Sequence, residues 1–135
     1  MIKNNRLSFL VANPQFMWIL LLIMVVSSCT SPIDETLLHG QWQATSMEEN
    51  GQPKTVDLSE TGFTFFSQGT YEYRSNVNYK EQGTYFLDGK FLVSQDTLNQ
   101  GAKKSVWIEF ISADSMLLKM NSSGTPQYLG LQKVK

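Results

Sequence analysis

From Gln41 onward the chain alternates apolar and polar residues in short stretches rich in Tyr, Phe, Val, Thr and Trp. Gly, Asn, Asp or Ser interrupts the alternation about every eight to twelve residues, which is the rhythm of an all-β domain. The pattern predicts strands at 40–47, 61–67, 70–77, 82–87, 90–95, 104–111, 115–120 and 127–134. A period of two sends alternate side chains to one face. Phe63 with Phe65, Tyr71 with Tyr73, Tyr85 with Leu87, and Phe91 with Val93 are thereby expected inside. So are Val106 with Ile108 and Phe110, and Met116 with Leu118 and Met120. Trp107 falls on the opposite face beside Glu109 and is expected to point outward. After the leader, no stretch has the length and spacing of a strong amphipathic helix; Ser31 to His39 has room for one turn or so.

Turn chemistry sets the connections. Asp88-Gly89 suits a two-residue hairpin that needs positive φ, and Asn50-Gly51 and Gln68-Gly69 offer the same permissive backbone. Tight turns make sequence neighbours pair in space. A meander of eight antiparallel strands leaves two unpaired edges unless it closes, and closure removes both. The expected fold is all-β, an eight-stranded antiparallel up-and-down β-barrel over residues 37–135.

The first 28 residues follow another pattern: Lys3 and Arg6, the apolar run Phe16 to Val26, then Ser27 and Ser28 before Cys29. Charge first, apolar residues second and small residues last is the layout of an export signal. The run is well short of the roughly 20 apolar residues that a bilayer-crossing helix needs at about 1.5 Å each. Val26-Ser27-Ser28-Cys29 resembles the lipobox of bacterial lipoproteins, in which the cysteine is diacylated on sulfur, freed by cleavage and usually acylated again. The resemblance implies acyl chains such as palmitate on Cys29, and the membrane as a partner reached through them. Each buried methylene contributes about 0.8 kcal/mol, and a stable hold takes more than one chain. The alternatives are an ordinary secretory signal with a chance cysteine, or an uncleaved anchor lengthened by Leu7 to Val11. Small residues at both positions before Cys29 serve a peptidase and add nothing to an anchor helix.

Residues 1–28 are therefore read as a lipoprotein signal peptide, and 29–36, polar and without apolar period, as a tether. In lipoproteins of Gram-negative bacteria the residue after the cysteine influences sorting. Thr30, in place of an aspartate, implies transfer to the outer membrane, so the expected location is the cell envelope.

Charge and cysteine usage narrow the picture. Of the 11 Lys and Arg, Lys3 and Arg6 lie in the leader, leaving 9 against 12 Asp and Glu, a net of −3 for the mature part. A mildly acidic surface argues against nucleic acid as a partner. Cys29 is the single cysteine, so the exported domain has no disulfide and must be held by packing. Aromatic residues spread from Trp42 to Tyr128 supply it, each able to bury about 150 to 250 Å².

Gly40-Gln41-Trp42 opens the first strand as the G-x-W signature opens lipocalins, and a short helical turn precedes it in both. With Gly62-Phe63, Gly69-Thr70-Tyr71 and Gly83-Thr84-Tyr85, the chain resembles the lipocalin-like domains common in lipoproteins of Bacteroidetes. The resemblance implies that Gly40, Trp42 and Lys133 close the barrel, with the Lys133 cation over the Trp42 ring. A lysine stands there where lipocalins usually have arginine. It also implies a non-catalytic module that binds a small hydrophobic or amphipathic ligand.

An eight-stranded barrel is either filled by its own side chains or holds one small ligand. Bulky inward residues point to a small cavity, open at the end opposite Trp42, or to a filled core. Buried tyrosine hydroxyls need partners. Tyr71, Tyr73 and Tyr85, with Phe91 and Phe110, are the candidate ligand-binding residues; the alternative is that the tyrosine hydroxyls lie at a barrel rim, or meet one another or backbone groups. Leu98 to Lys104 and Asn121 to Pro126 are candidate rim loops. Catalysis finds no support: His39 is the single histidine, and no free thiol remains as a nucleophile. Asp34-Glu35 and Glu48-Glu49 are adjacent pairs on tether and turn, not a metal site, and no cofactor is implied. The alternative function is a filled barrel acting as a protein-interaction or inhibitor module in the envelope.

Overall fold

The computed structural model describes residues 31–75 and 78–135, so the leader and Cys29 lie outside the described residues. A 3-10 turn, Glu35–Leu37, comes first, and the Asp34 carboxylate caps it by accepting from the Thr36 N–H at 3.0 Å. Nine strands follow: β1 (Gly40–Glu49), β2 (Gln52–Pro53), β3 (Gly62–Phe65), β4 (Thr70–Ser75), β5 (Tyr79–Asp88), β6 (Phe91–Asp96), β7 (Lys103–Ile111), β8 (Ser115–Ser122) and β9 (Thr125–Lys133). From β3 to β9 each strand pairs with its sequence neighbours, β1 pairs with β3, and β1 also pairs antiparallel with β9. That last ladder closes β1 and β3–β9 into an eight-stranded barrel, the architecture that the alternation implies.

The two-residue β2 lies outside the predicted set and only extends β1. It is turned back by Asn50 and Gly51, whose φ values of 52° and 73° suit a two-residue hairpin. Between β5 and β6 the loop residues are Gly89 and Lys90, one step later than Asp88-Gly89, because Asp88 pairs with Phe91. Positive φ falls on Gly89 alone of these two, at 60°.

The barrel ends differ. At one end Trp42 is fully buried, and its indole Nε1 donates to the Leu38 carbonyl at 2.8 Å. Leu38, Phe65, Ile108, Leu118 and Leu131 belong to the same buried cluster. Lys133 Nζ stands 4.9 Å from the Trp42 ring centroid and donates to the Leu37 carbonyl at 2.9 Å. Gly40 has φ +122°, a conformation that strains any side chain, beside the stem of Lys133. Together these residues plug the barrel.

Inward faces follow the alternation for β3, β4, β5 and β8: Phe63, Phe65, Tyr71, Tyr73, Tyr85, Leu87, Met116, Leu118 and Met120 belong to the core or pack against it. Three expected inward residues, Phe91, Val93 and Phe110, face the other way; Val93 lies on the face of Phe91, opposite the exposed Phe86. Phe91 is 44% exposed, because pairing sets Leu92 opposite Leu87 and Val106, and Leu92 is the buried member of the run Phe91-Leu92-Val93. Phe110 is 54% exposed, because a bulge at Glu109 shifts the β7–β8 register between Ile108 and Phe110. Ile108 opposes the buried Leu118, and after the extra residue Phe110 opposes Leu117. Trp107 is on the outer wall, where Phe91 meets its ring edge-on at 4.9 Å and Lys90 lies 5.7 Å above it.

Gly83 is buried on the inner face of β5, and a Cβ built there would stand 1.8 Å from the Gln95 carbonyl oxygen. Backbone cannot yield cheaply at that distance. Gly83→Ala is expected to lower stability by about 1 to 3 kcal/mol, read as a lower urea midpoint. Thr84→Ala, on the outer face, should change it by less than about 0.5 kcal/mol.

Candidate ligand-binding cavity

Register sets the end opposite Trp42: Met47 near the end of β1 faces Leu129 early in β9, and Lys104 at the start of β7 faces Ser94 on β6. Here the interior is not filled. A cavity of about 430 Å³ lies between these strands. Its apolar wall comes from Met47, Phe63, Val106, Met120 and Leu129, and methionine side chains adapt readily to an irregular shape. Val56 and Leu58 reach it from the connection between β2 and β3. That connection is pinned to β1, because the Gln43 amide donates to the Leu58 carbonyl at 2.7 Å and the Thr61 carbonyl at 2.9 Å. The Thr61 N–H closes a turn onto the Leu58 carbonyl at 2.9 Å, which holds Leu58 over the interior.

One side of the cavity is polar. Glu81 on β5 is only 5% exposed and points inward with Gly83 and Tyr85 by the period of two. Its carboxylate accepts from the Tyr71 hydroxyl at 3.1 Å and the Tyr79 hydroxyl at 2.8 Å, and it pairs with Lys104. A buried carboxylate without such partners would be costly. The aromatic residues of this end pack on one another: Tyr73 lies 4.7 Å from Phe63 and 6.2 Å from Tyr79, centroid to centroid.

Electrostatics record the same arrangement. Burial, then the Glu81 charge, pushes the Tyr71 and Tyr73 hydroxyls above the ordinary tyrosine pKa. Tyr79 is raised first by its hydrogen bond to Glu81, and Lys104 likewise. At the same end, the β6–β7 connection is organised by Asp96, 2% exposed. It accepts from the Leu98 and Asn99 N–H groups at 3.0 and 3.2 Å and from the Asn99 amide at 2.8 Å. Burial opposes the Asp96 charge, yet hydrogen bonds led by Asn99 outweigh it and the pKa is lowered.

Of the five residues expected to bind ligand, Tyr71 and Tyr73 line the cavity. Tyr85 is buried away from it, its hydroxyl donating to the Phe66 carbonyl at 2.9 Å, and Phe91 and Phe110 stand on the outer wall. Gly40, Trp42 and Lys133 occupy the plugged end. The candidate rim loops, Leu98 to Lys104 and Asn121 to Pro126, lie at the cavity end.

Glu81 and Lys104 were not among the candidates, although alternation places Glu81 in line with Tyr85, and Lys104 with Val106. The predicted strand 82–87 leaves out Glu81, whereas β5 begins at Tyr79; Lys104 falls inside the predicted strand 104–111, at its first position. Val56 and Leu58 carry no periodic signal, since their position follows from the hold of Gln43 on their loop. Among the described residues, no group of three or more His, Cys, Asp or Glu is placed to hold a metal ion.

A meander closed on itself, plugged at one end by a tryptophan under a basic side chain and hollow at the other, is a lipocalin-type barrel. The sequence model of the lipocalin-like domain family matches residues 38–118, and the chain belongs to that family. A lipocalin-like protein of Bacteroides uniformis shares the fold at 18% identity and TM-score 0.54, covering 73% of this chain and 99% of its own. An uncharacterized protein of Bacteroides eggerthii shares it at 15% identity and TM-score 0.52, covering 72% of this chain and 99% of its own. No curated protein matches the sequence.

Raised pKa values make the folded state hold protons more tightly than the unfolded chain. Below about pH 10 tyrosine is neutral in both states and this contribution is complete; above it the unfolded chain deprotonates first and stability falls. Urea unfolding is expected to show a stable plateau up to about pH 10 and a decline beyond it, approaching 1.4 kcal/mol per pH unit for each buried tyrosine. The decline should be shallower in a Tyr71→Phe/Tyr73→Phe variant.

Proposed function

We propose that the protein is a lipid-anchored, non-catalytic binding module whose barrel takes up one small amphipathic molecule at the end remote from Trp42. The cavity carries this reading: about 430 Å³, apolar on most sides and with a buried carboxylate on one, within the size range of small-molecule sites. Family membership supports a binding role. Anchorage is supported by Val26-Ser27-Ser28-Cys29, and outer-membrane sorting by Thr30. Ile33 packs against the core and lies beside Lys90, Ile108 and Phe110, so the tether meets the barrel at its plugged end.

A second reading, docking of the outer wall on another envelope protein, is favoured by the exposed Phe86, Phe91 and Phe110, of which Phe91 packs on Trp107. The two readings separate by mutation. If the cavity is the site, Leu58→Trp abolishes ligand-induced thermal shifts across a panel of fatty amines, alcohols, acids and sterols, and Phe110→Ser leaves them intact. No shift from any compound would overturn the cavity reading. Labelled palmitate is expected on the full-length protein expressed in its native envelope and absent from Cys29→Ser; label retained on that variant would overturn the anchor.

A further inference from the structure

The polar side of the cavity has a sign, and that sign specifies the ligand further than size and greasiness do. We infer that the ligand's polar end is an organic cation, an ammonium group that displaces Lys104 Nζ from Glu81. The inference rests on the cavity reading above. The fixed charge is the negative one: Glu81 is 5% exposed and tied by the hydroxyls of Tyr71 and Tyr79, which project from the neighbouring strand and from the start of its own. The positive charge is replaceable. The Lys104 side chain is 54% exposed, on the second residue of β7 next to the β6–β7 connection, at the end of a flexible four-carbon stem. Exchange of one ammonium for another keeps the buried carboxylate neutralised and returns that stem to water.

The surroundings suit a cation and repel an anion. Phe63, Tyr71 and Tyr73 line the same cavity as the carboxylate, and aromatic rings attract ammonium ions. An incoming carboxylate or phosphate would find the hydroxyls of Tyr71 and Tyr79 already donating to Glu81, and would meet its charge. Asp96, buried nearby on β6, adds to the same negative field. The apolar tail would lie along Val106, Met120 and Leu129 toward Leu58.

The full chain in non-ionic detergent, titrated calorimetrically at pH 7 with hexylamine, hexyltrimethylammonium, hexan-1-ol and hexanoate, tests the assignment. Both cations are expected to bind at least tenfold more tightly than hexan-1-ol, with hexanoate weakest. Glu81→Gln should erase the preference, and Lys104→Met, which removes the resident competitor, should tighten binding of the cations several-fold. Hexanoate binding as well as the amines, a cation preference that survives Glu81→Gln, or weaker amine binding by Lys104→Met would each overturn the proposal. Should Glu81→Gln fail to fold, the Lys104→Met result decides. Binding of none of the four probes would instead overturn the cavity reading beneath it.

Discussion

The ladder between β1 and β9 is the constraint on which everything else in the barrel depends. A sheet of eight strands held open would expose two rows of unpaired N–H and C=O groups and offer its apolar face to water. Closing it makes one interior of fixed girth, wide enough for packed side chains or one small guest. The Trp42 plug then decides where free space remains. Trp42, Leu38 and Lys133 fill one end through bonds that are largely backbone-directed, so the far end is where Met47, Met120 and the pinned Leu58 can leave a hollow.

Within that hollow the chain tolerates a buried carboxylate because three donors converge on it. Tyr71 and Tyr79 hold Glu81 by their hydroxyls, and Lys104 neutralises it from the solvent side. Such a pair contributes little net stability compared with an apolar filling, since desolvating the charge offsets most of the attraction. Among the described residues it lies on the wall of the cavity, where the proposed ligand would meet it.

Much of this was legible in the sequence. Alternation located eight strands and assigned the inner faces of Phe63, Phe65, Tyr71, Tyr73, Met116 and Leu118, because a half-buried strand must repeat every second residue. Gly40-Gln41-Trp42 pointed to the family. The misread positions share a cause. Phe91-Leu92-Val93 is apolar throughout, so its face is set by partners on β5 and β7 and not by its own pattern. Phe110 obeys the alternation on paper and loses it to a bulge at Glu109 that only the β8 register reveals. Glu81 lies just before the predicted strand 82–87, since β5 begins at Tyr79, and Leu58 sits on a loop whose position comes from the side chain of Gln43.

The Glu109 bulge has a wider meaning. One inserted residue exchanges inner and outer walls for the rest of its strand, which is why Phe110 decorates the exterior instead of crowding the Trp42 plug. In a closed meander, then, the capacity of the lumen can be retuned by gaining or losing a single codon without altering the chemistry of any side chain. Relatives that keep the same residues but differ by such an indel should be read as containers of different size.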